Sequence, residues 1–258
     1  MWWTLCRLQF HHALADGFGA LHFINTWCDV ARGLSNTLPP FVDRTILRCR
    51  VPPTPKFEHI EYDKPLSMDS PTQINTLQQN CIEIFKITPQ QLETLKTKVK
   101  NNNGKTKSTS YEILTAHIWR CTCKARGLSD HQPTKLRIAV DGRALRDTVE
   151  RIDKEIKRMD DEYLRSAIDR LEVLDDLKPI LIGAHSCRCP NLIVVSWVRL
   201  PFYDADFGMG KPACVRPANP PEGKGCILQA PSDDGSWALE MCLQEDHMQS
   251  FQRLFYEF

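Results

Sequence analysis

Between residues 18 and 31 the apolar side chains Leu21, Ile24, Trp27, Cys28 and Ala31 recur at three- and four-residue intervals, the spacing of one helix face, and Gly33 supplies a stop. The preceding residues 5–10 have strand composition and run into His11-His12-Ala13-Leu14-Ala15-Asp16-Gly17, whose glycine ends one element and begins another. Strand, turn and helix are expected in that order. Residues 81–87 alternate as a strand with one polar face, after which Thr88 and Pro89 read as N-cap and first residue of a helix through residue 100, closed by Asn101-Asn102-Asn103-Gly104. Ser110 is expected to cap a further helix whose Leu114, Ile118 and Cys121 share a face, and residues 135–140 to form a strand after Gly127 and Pro133. From 146 to 174 an apolar stripe of Val149, Ile152, Ile156, Met159, Ile168, Leu171 and Leu174 predicts one long amphipathic helix. Its Glu150/Lys154, Asp153/Lys157 and Asp161/Arg165 pairs read as a solvated face. Strands are expected around 192–200, 213–215, 226–230 and 237–243, and a last helix from Gln244 to the end. The prolines at 39, 40, 52, 53, 55, 65 and 71 make the stretch between a surface connector, and the main domain boundary is placed near its end.

Composition narrows the function classes. The 258 residues are 42% hydrophobic and 25% charged, which suits a globular chain with a sizeable core. Lys plus Arg number 33 against 32 Asp plus Glu, so no surplus of one sign exists to grip a phosphate backbone, and a nucleic-acid partner is not expected. Apolar runs such as residues 192–195 fall far short of the ~20 residues that span a bilayer. The opening residues 1–8 lack a secretory pattern. A cytoplasmic protein is therefore expected. Eleven cysteines, with close pairs at 121/123 and 187/189 in Cys-x-Cys rather than Cys-x-x-Cys spacing, read as free thiols rather than a zinc site.

The residues that could carry chemistry begin with His12 and Asp16. They form a His-x-x-x-Asp pattern between a strand and a helix, where a side chain can face a cleft. By itself the pattern also fits a packing histidine beside Phe10, Ala13 and Leu14. Several strings then agree, in the same order, with those of one plant enzyme family. They are HHALADGFGALHFINTWCDVARG (11–33), STSYEILTAHIWRCTCKARGL (108–128), KLRIAVDGR (135–143), RMDDEYLRSA (158–167), GAH (183–185), CPNL (189–192), SWVRLP (196–201) and DADFGMG (204–210). On these the chain resembles the acyl-CoA-dependent acyltransferases called BAHD, and within them the shikimate and quinate hydroxycinnamoyl transferases.

The resemblance implies a two-domain, chloramphenicol-acetyltransferase-like α/β fold with mixed sheets and flanking helices. Residues 1–75 would be a remnant of the first domain and 76–258 the second. It implies an acyl-CoA co-substrate, an alcohol or amine acceptor, no permanently bound cofactor or metal, and a monomer. His12 would be the general base that takes the acceptor proton as the thioester is attacked, a task that suits an imidazole near neutral pH. Trp197 would help hold the tetrahedral oxyanion. Asp16 would hold the loop through an ion pair, and Asp206 of the Asp206-Phe207-Gly208-Met209-Gly210 string would pair with Arg143. Lys105, Ser108 and Ser110 fall where relatives touch coenzyme A.

Departures from the pattern carry their own expectations. Met209 stands where the family has tryptophan and should fill an apolar site more loosely. Ile182 stands where shikimate-using relatives have an arginine for the acceptor carboxylate, and Val195 where they have a threonine beside the serine and tryptophan, a second oxyanion donor. Relatives also have a long region before the histidine motif and a further segment after Arg143. An incomplete copy of the fold is expected, with exposed strand edges and uncovered apolar faces.

Overall fold

The computed structural model describes residues 4–35, 38–62, 79–99, 108–139, 160–177, 180, 186–232 and 234–258. In chain order these carry α1 (Gly17–Ala31), β1 (Asn80–Ile87), α2 (Pro89–Val99), α3 (Ser110–Ala125), β2 (Leu136–Ile138), α4 (Asp161–Glu172), β3 (Leu192–Ser196), β4 (Lys224–Gln229), β5 (Trp237–Gln244) and α5 (Glu245–Phe255). The strands form one mixed sheet in the order β1-β5-β4-β3-β2. β1 and β5, and β5 and β4, are antiparallel, whereas β4, β3 and β2 run parallel.

Strand alternation gives this sheet two different faces. Phe85 and Ile87 of β1, Leu192 and Val194 of β3, Ile227 of β4, and Leu239, Met241 and Leu243 of β5 point into the main core. There they meet Leu95 of α2, Ile113, Leu114 and Ile118 of α3, and Met248, Phe251 and Phe255 of α5. Full burial of each large side chain stabilises by roughly 1.5–3 kcal/mol, so this face holds the fold. The opposite face carries a smaller cluster, Cys226, Leu228 and Ala238, packed with Val195 and Trp197. Toward the edge that face opens: Ile82 is 39% and Ile84 48% exposed on β1.

Several expectations change here. Residues 5–10 form no strand: no neighbour supplies a hydrogen-bond ladder to them among the described residues, and Leu5 is exposed. Residues 213–215 also stay irregular, because Pro212, Pro217, Pro220 and Pro221 withhold backbone donors around them. The single helix expected from 146 to 174 does not run unbroken through Asp160, and residues 146–159 lie outside the described residues. Asp160 is in extended conformation and caps α4 by accepting from the Tyr163 amide, so the described helix starts at Asp161 and ends at Glu172. The Glu150/Lys154 and Asp153/Lys157 pairs lie outside the described residues, while Arg165 Nε does reach Asp161 at 2.8 Å.

The buried face of α4 is also not the apolar stripe. It presents Tyr163, Ser166, Ala167 and Asp169 to the connector. Arg50 Nε meets Asp169 at 2.6 Å and its Nη1 meets Glu162 at 2.9 Å, while Ser166 Oγ accepts the Lys56 amide and lies 2.9 Å from His59 Nε2. Burial pushes the Asp169 acid up, but amides of Arg50 and Thr54 and the Arg50 guanidinium outweigh it and hold the group at about 2. This polar seam satisfies the connector's backbone and locks it to the helix. The expected domain boundary near residue 75 falls outside the described residues, as does the Asn101–Gly104 helix stop.

Candidate active site

The turn that bears His12 is defined by three local contacts. Leu14 donates its amide to His11 O at 2.9 Å, and the Ala13 amide donates to His11 Nδ1 at 3.2 Å. Asp16 is the N-cap of α1, its Oδ1 accepting from the Gly19 amide at 2.7 Å. From the connector, Arg44 reaches back and donates through Nη1 to Ala13 O at 3.2 Å and through Nη2 to Leu14 O at 2.7 Å. The His12 side chain is exposed and takes no hydrogen-bond partner among the described residues.

α1 is fixed against the segment that follows β3. Gly17 lets Leu200 come close, since a Cβ there would lie 3.1 Å from its Cδ1. Asn25 Nδ2 donates to Pro201 O at 3.3 Å, and Trp27 meets the Phe207 ring edge-on at 5.0 Å. Arg32 Nη1 lies 3.7 Å from Asp206 Oδ2. The same carboxylate accepts the amides of Gly208 and Gly210 at 2.8 and 2.9 Å; the Gly208 amide is the main reason its acid is held below the usual range. Phe10 packs edge-on to Phe23 at 5.8 Å and so brings the approach to His12 onto the same helix.

These contacts leave an open cleft of about 2590 Å³ between the histidine turn, α1, the second sheet face and the start of α3. His12, Asp16, Ser110 and Trp197 all line it. Trp197 extends the β3–β4 pairing by donating its amide to Ile227 O at 2.8 Å, and its indole lies against Phe202 with centroids 4.7 Å apart. The indole N–H has no partner among the described residues and can donate to a ligand oxygen. Tyr111, one residue beyond Ser110, donates its hydroxyl to Val194 O at 3.0 Å and is pushed up to about 12 by burial, so it acts as a wall rather than an acid.

The other expected site residues are placed unevenly. Lys105, Arg143, Ile182 and the 183–185 string lie outside the described residues, and Ser108 is outside the cleft lining. Asp16 serves as a helix cap and makes no ion pair among the described residues. Asp206 pairs with Arg32. Met209 is 71% exposed, so it does not fill an apolar site in the tryptophan's stead. The cap of α3 is Thr109, not Ser110: Thr109 Oγ1 accepts the Glu112 amide while Glu112 Oε2 accepts the Thr109 amide at 2.8 Å. The Thr-x-x-Glu spacing is the signal that distinguishes the two.

Sequence reading missed two residues that support segments of the cleft. One is Arg44, which no periodicity marks. The other is Glu240 on β5, whose side chain has no exposed surface and whose Oε2 lies 2.6 Å from Arg216 Nε. Burial pushes the Glu240 acid up, against the pull of Arg216 and Lys224.

Comparison with known proteins extends these observations. The shikimate O-hydroxycinnamoyltransferase of Nicotiana tabacum is 43% identical over 285 residues, covering 96% of this chain and 65% of the relative. The hydroxycinnamoyltransferase of Narcissus pseudonarcissus is 42% identical over 98% of this chain and 66% of its own length. A hydroxycinnamoyl-CoA:5-hydroxyanthranilate N-hydroxycinnamoyltransferase of Avena sativa is 39% identical, with 94% and 63% covered. The chain thus spans just under two thirds of these relatives. The 285-residue alignment is longer than the 258 residues available, so the relatives also carry residues inside the aligned region that this chain lacks. Among solved structures, F. graminearum TRI101 complexed with coenzyme A and T-2 mycotoxin matches with TM-score 0.67 at 17% identity, over 92% of this chain and 62% of that one. Vinorine synthase matches at 0.53, also at 17% identity, over 94% and 62%. These likenesses show the fold. Residues 7–145 and 143–258 match the sequence profile of the Transferase family, and the chain therefore belongs to that family, the BAHD acyltransferases.

Proposed function

We propose that this chain transfers a hydroxycinnamoyl group from coenzyme A to the hydroxyl of an acceptor such as shikimate or quinate, acting as a cytoplasmic monomer. The observation that carries the reading is the shared cleft of His12 and Trp197. The exposed imidazole takes the proton of the acceptor hydroxyl as its oxygen attacks the thioester carbonyl. The carbonyl oxygen gains charge, and the free indole N–H of Trp197 donates to it. The C–S bond then breaks, and the proton on His12 passes to the departing thiolate. No covalent enzyme intermediate is needed. Asp16 and Arg44 hold the turn rather than move protons. Ser110, at the first turn of α3, is assigned to the coenzyme; the assignments of Lys105 and Ser108 to the coenzyme, and of Arg143 to Asp206, rest on the family resemblance.

The 5-hydroxyanthranilate N-hydroxycinnamoyltransferase of Avena sativa favours a second acceptor class, an amine attacking by the same steps. Purified protein would be incubated with p-coumaroyl-CoA and a panel of shikimate, quinate and polyamines, following free thiol. Acceptor-dependent thiol release that disappears in His12→Ala is the expected result. Thiol release in neither the wild type nor the variant, from a chain folded by circular dichroism, would make it an inactive family member.

A further inference from the structure

Charge in the cleft wall is one-sided. Arg7, Arg199, Lys211, Arg216 and Lys224 line it, against Asp16, whose carboxylate is engaged as a helix cap. Two of these cations converge on the sheet. Cys226 pairs with Glu240 and Lys224 with Cys242 across β4 and β5, so Lys224 and Glu240 point to the same face as diagonal neighbours. Glu240 is fully buried, and Arg216 Nε lies 2.6 Å from its Oε2, while the Arg216 side chain remains 47% exposed. Neither carboxylate oxygen of Glu240 has a hydrogen-bond partner among the described residues, so the contact with Arg216 is an ion pair.

This arrangement fixes a guanidinium by one edge. With Nε held beside Glu240 by the ion pair, the two Nη groups, which have no partner among the described residues, form the free edge that binds a planar oxyanion in bidentate fashion. Glu240 and Arg216 cancel each other's charge, so Lys224 is the surplus cation beside them. We infer that Arg216, oriented by Glu240 and flanked by Lys224, forms an oxyanion subsite of the cleft that holds a carboxylate or phosphate of a small-molecule ligand. The subsite rests on the acyl-transfer reading only in taking this cleft as the ligand cleft. Its two natural sources of oxyanion are the coenzyme's phosphates and the carboxylate of an acidic acceptor.

The test is equilibrium binding by calorimetry of coenzyme A, pantetheine, shikimate and shikimate methyl ester to wild type, Lys224→Met and Arg216→Lys. Lys224 makes no ion pair among the described residues, so its variant is expected to fold and decides the matter if Arg216→Lys does not. A loss of about tenfold or more for coenzyme A or for shikimate, with the matching neutral compound unchanged, supports the subsite. Loss confined to coenzyme A identifies a phosphate, and loss confined to shikimate a carboxylate. If wild type binds both anions and the folded variants keep them within twofold, the subsite is wrong and Arg216 is only a staple for Glu240. Failure of wild type to bind either anion removes both this subsite and the acyl-transfer reading.

Discussion

Among the described glycines, Gly223 is the position where adding a single methyl group should do most harm. Its φ of +79° lies in the left-handed region, and an added Cβ would sit 1.8 Å from Cys187 O, 2.7 Å from Cys187 C and 2.9 Å from Arg126 Nη2. Retreat is blocked on both sides. The Gly223 amide donates to Cys242 O at 2.8 Å, and its carbonyl accepts from the Ile193 amide at 2.9 Å, so the residue bridges the strands flanking it. Arg126 is itself fixed by Glu222 at 2.6 Å and Asn191 O at 2.6 Å. Gly235 provides the control: its φ is +74°, but a Cβ there meets only Pro89 Cγ at 3.7 Å. Gly235→Ala should therefore cost the dihedral term alone, ~1–2 kcal/mol. Gly223→Ala adds backbone overpacking of ~1–3 kcal/mol or more, so the gap between the two should be at least ~1 kcal/mol. Urea unfolding followed by tryptophan fluorescence would show the gap as a midpoint difference of about 0.5 M or more. Equal losses in the two variants would refute the argument that close approach, rather than handedness, demands glycine at 223.

Three further outcomes follow from the contacts. Arg44→Ala should speed amide hydrogen exchange in residues 13–16 and lower turnover with little change in KM, with Arg44→Lys recovering part of both; unchanged exchange would end the positioning role. Thr109→Ala should cost ~1 kcal/mol by opening the capping box, and Thr109→Ser should restore it, read as thermal midpoints. The Asp169 acid sits at about 2 in the fold against roughly 3.9 in the unfolded chain, so its stabilisation is present above the unfolded value and is lost as pH falls toward about 2. Asp169→Asn should flatten the pH dependence of unfolding between pH 2 and 5, and an unaltered slope would contradict the role given to Arg50.

Elements with strong local signals were legible in the chain. The periodic apolar residues of α1 and α3, the alternation of β1, the strand expected at 237–243 and the last helix appear where the sequence places them, within a residue or two. The errors have physical reasons. Residues 5–10 have strand composition, but a strand exists only with a neighbour, and composition does not supply one. The apolar stripe over 146–174 runs past Asp160, yet an aspartate followed by Asp161 and Glu162 is itself a helix start, and the local cap takes precedence over the long period. The face of α4 misled for a different reason: Asp169 and Ser166 are buried because Arg50 and the connector backbone meet them, and those partners are more than a hundred residues away in sequence.

The candidate site depends on the same kind of distant partnership. His12 is visible in the sequence as a motif, but a motif does not say whether its ring faces a cleft or a core. Three long-range contacts decide that: Arg44 on the turn carbonyls, Asn25 on Pro201, and Trp27 on Phe207. Each joins the N-terminal segment to a part of the chain with no helical or strand period of its own, so hydrophobic patterning passes over all of them. They bring the histidine turn and the end of β3 to the lining of one opening while most of the sheet's apolar burial lies on its other face. The geometry of the candidate site is therefore held by polar and aromatic contacts worth little individually, on a scaffold whose stability comes from elsewhere. Loss of one such contact should disturb the site long before it unfolds the sheet.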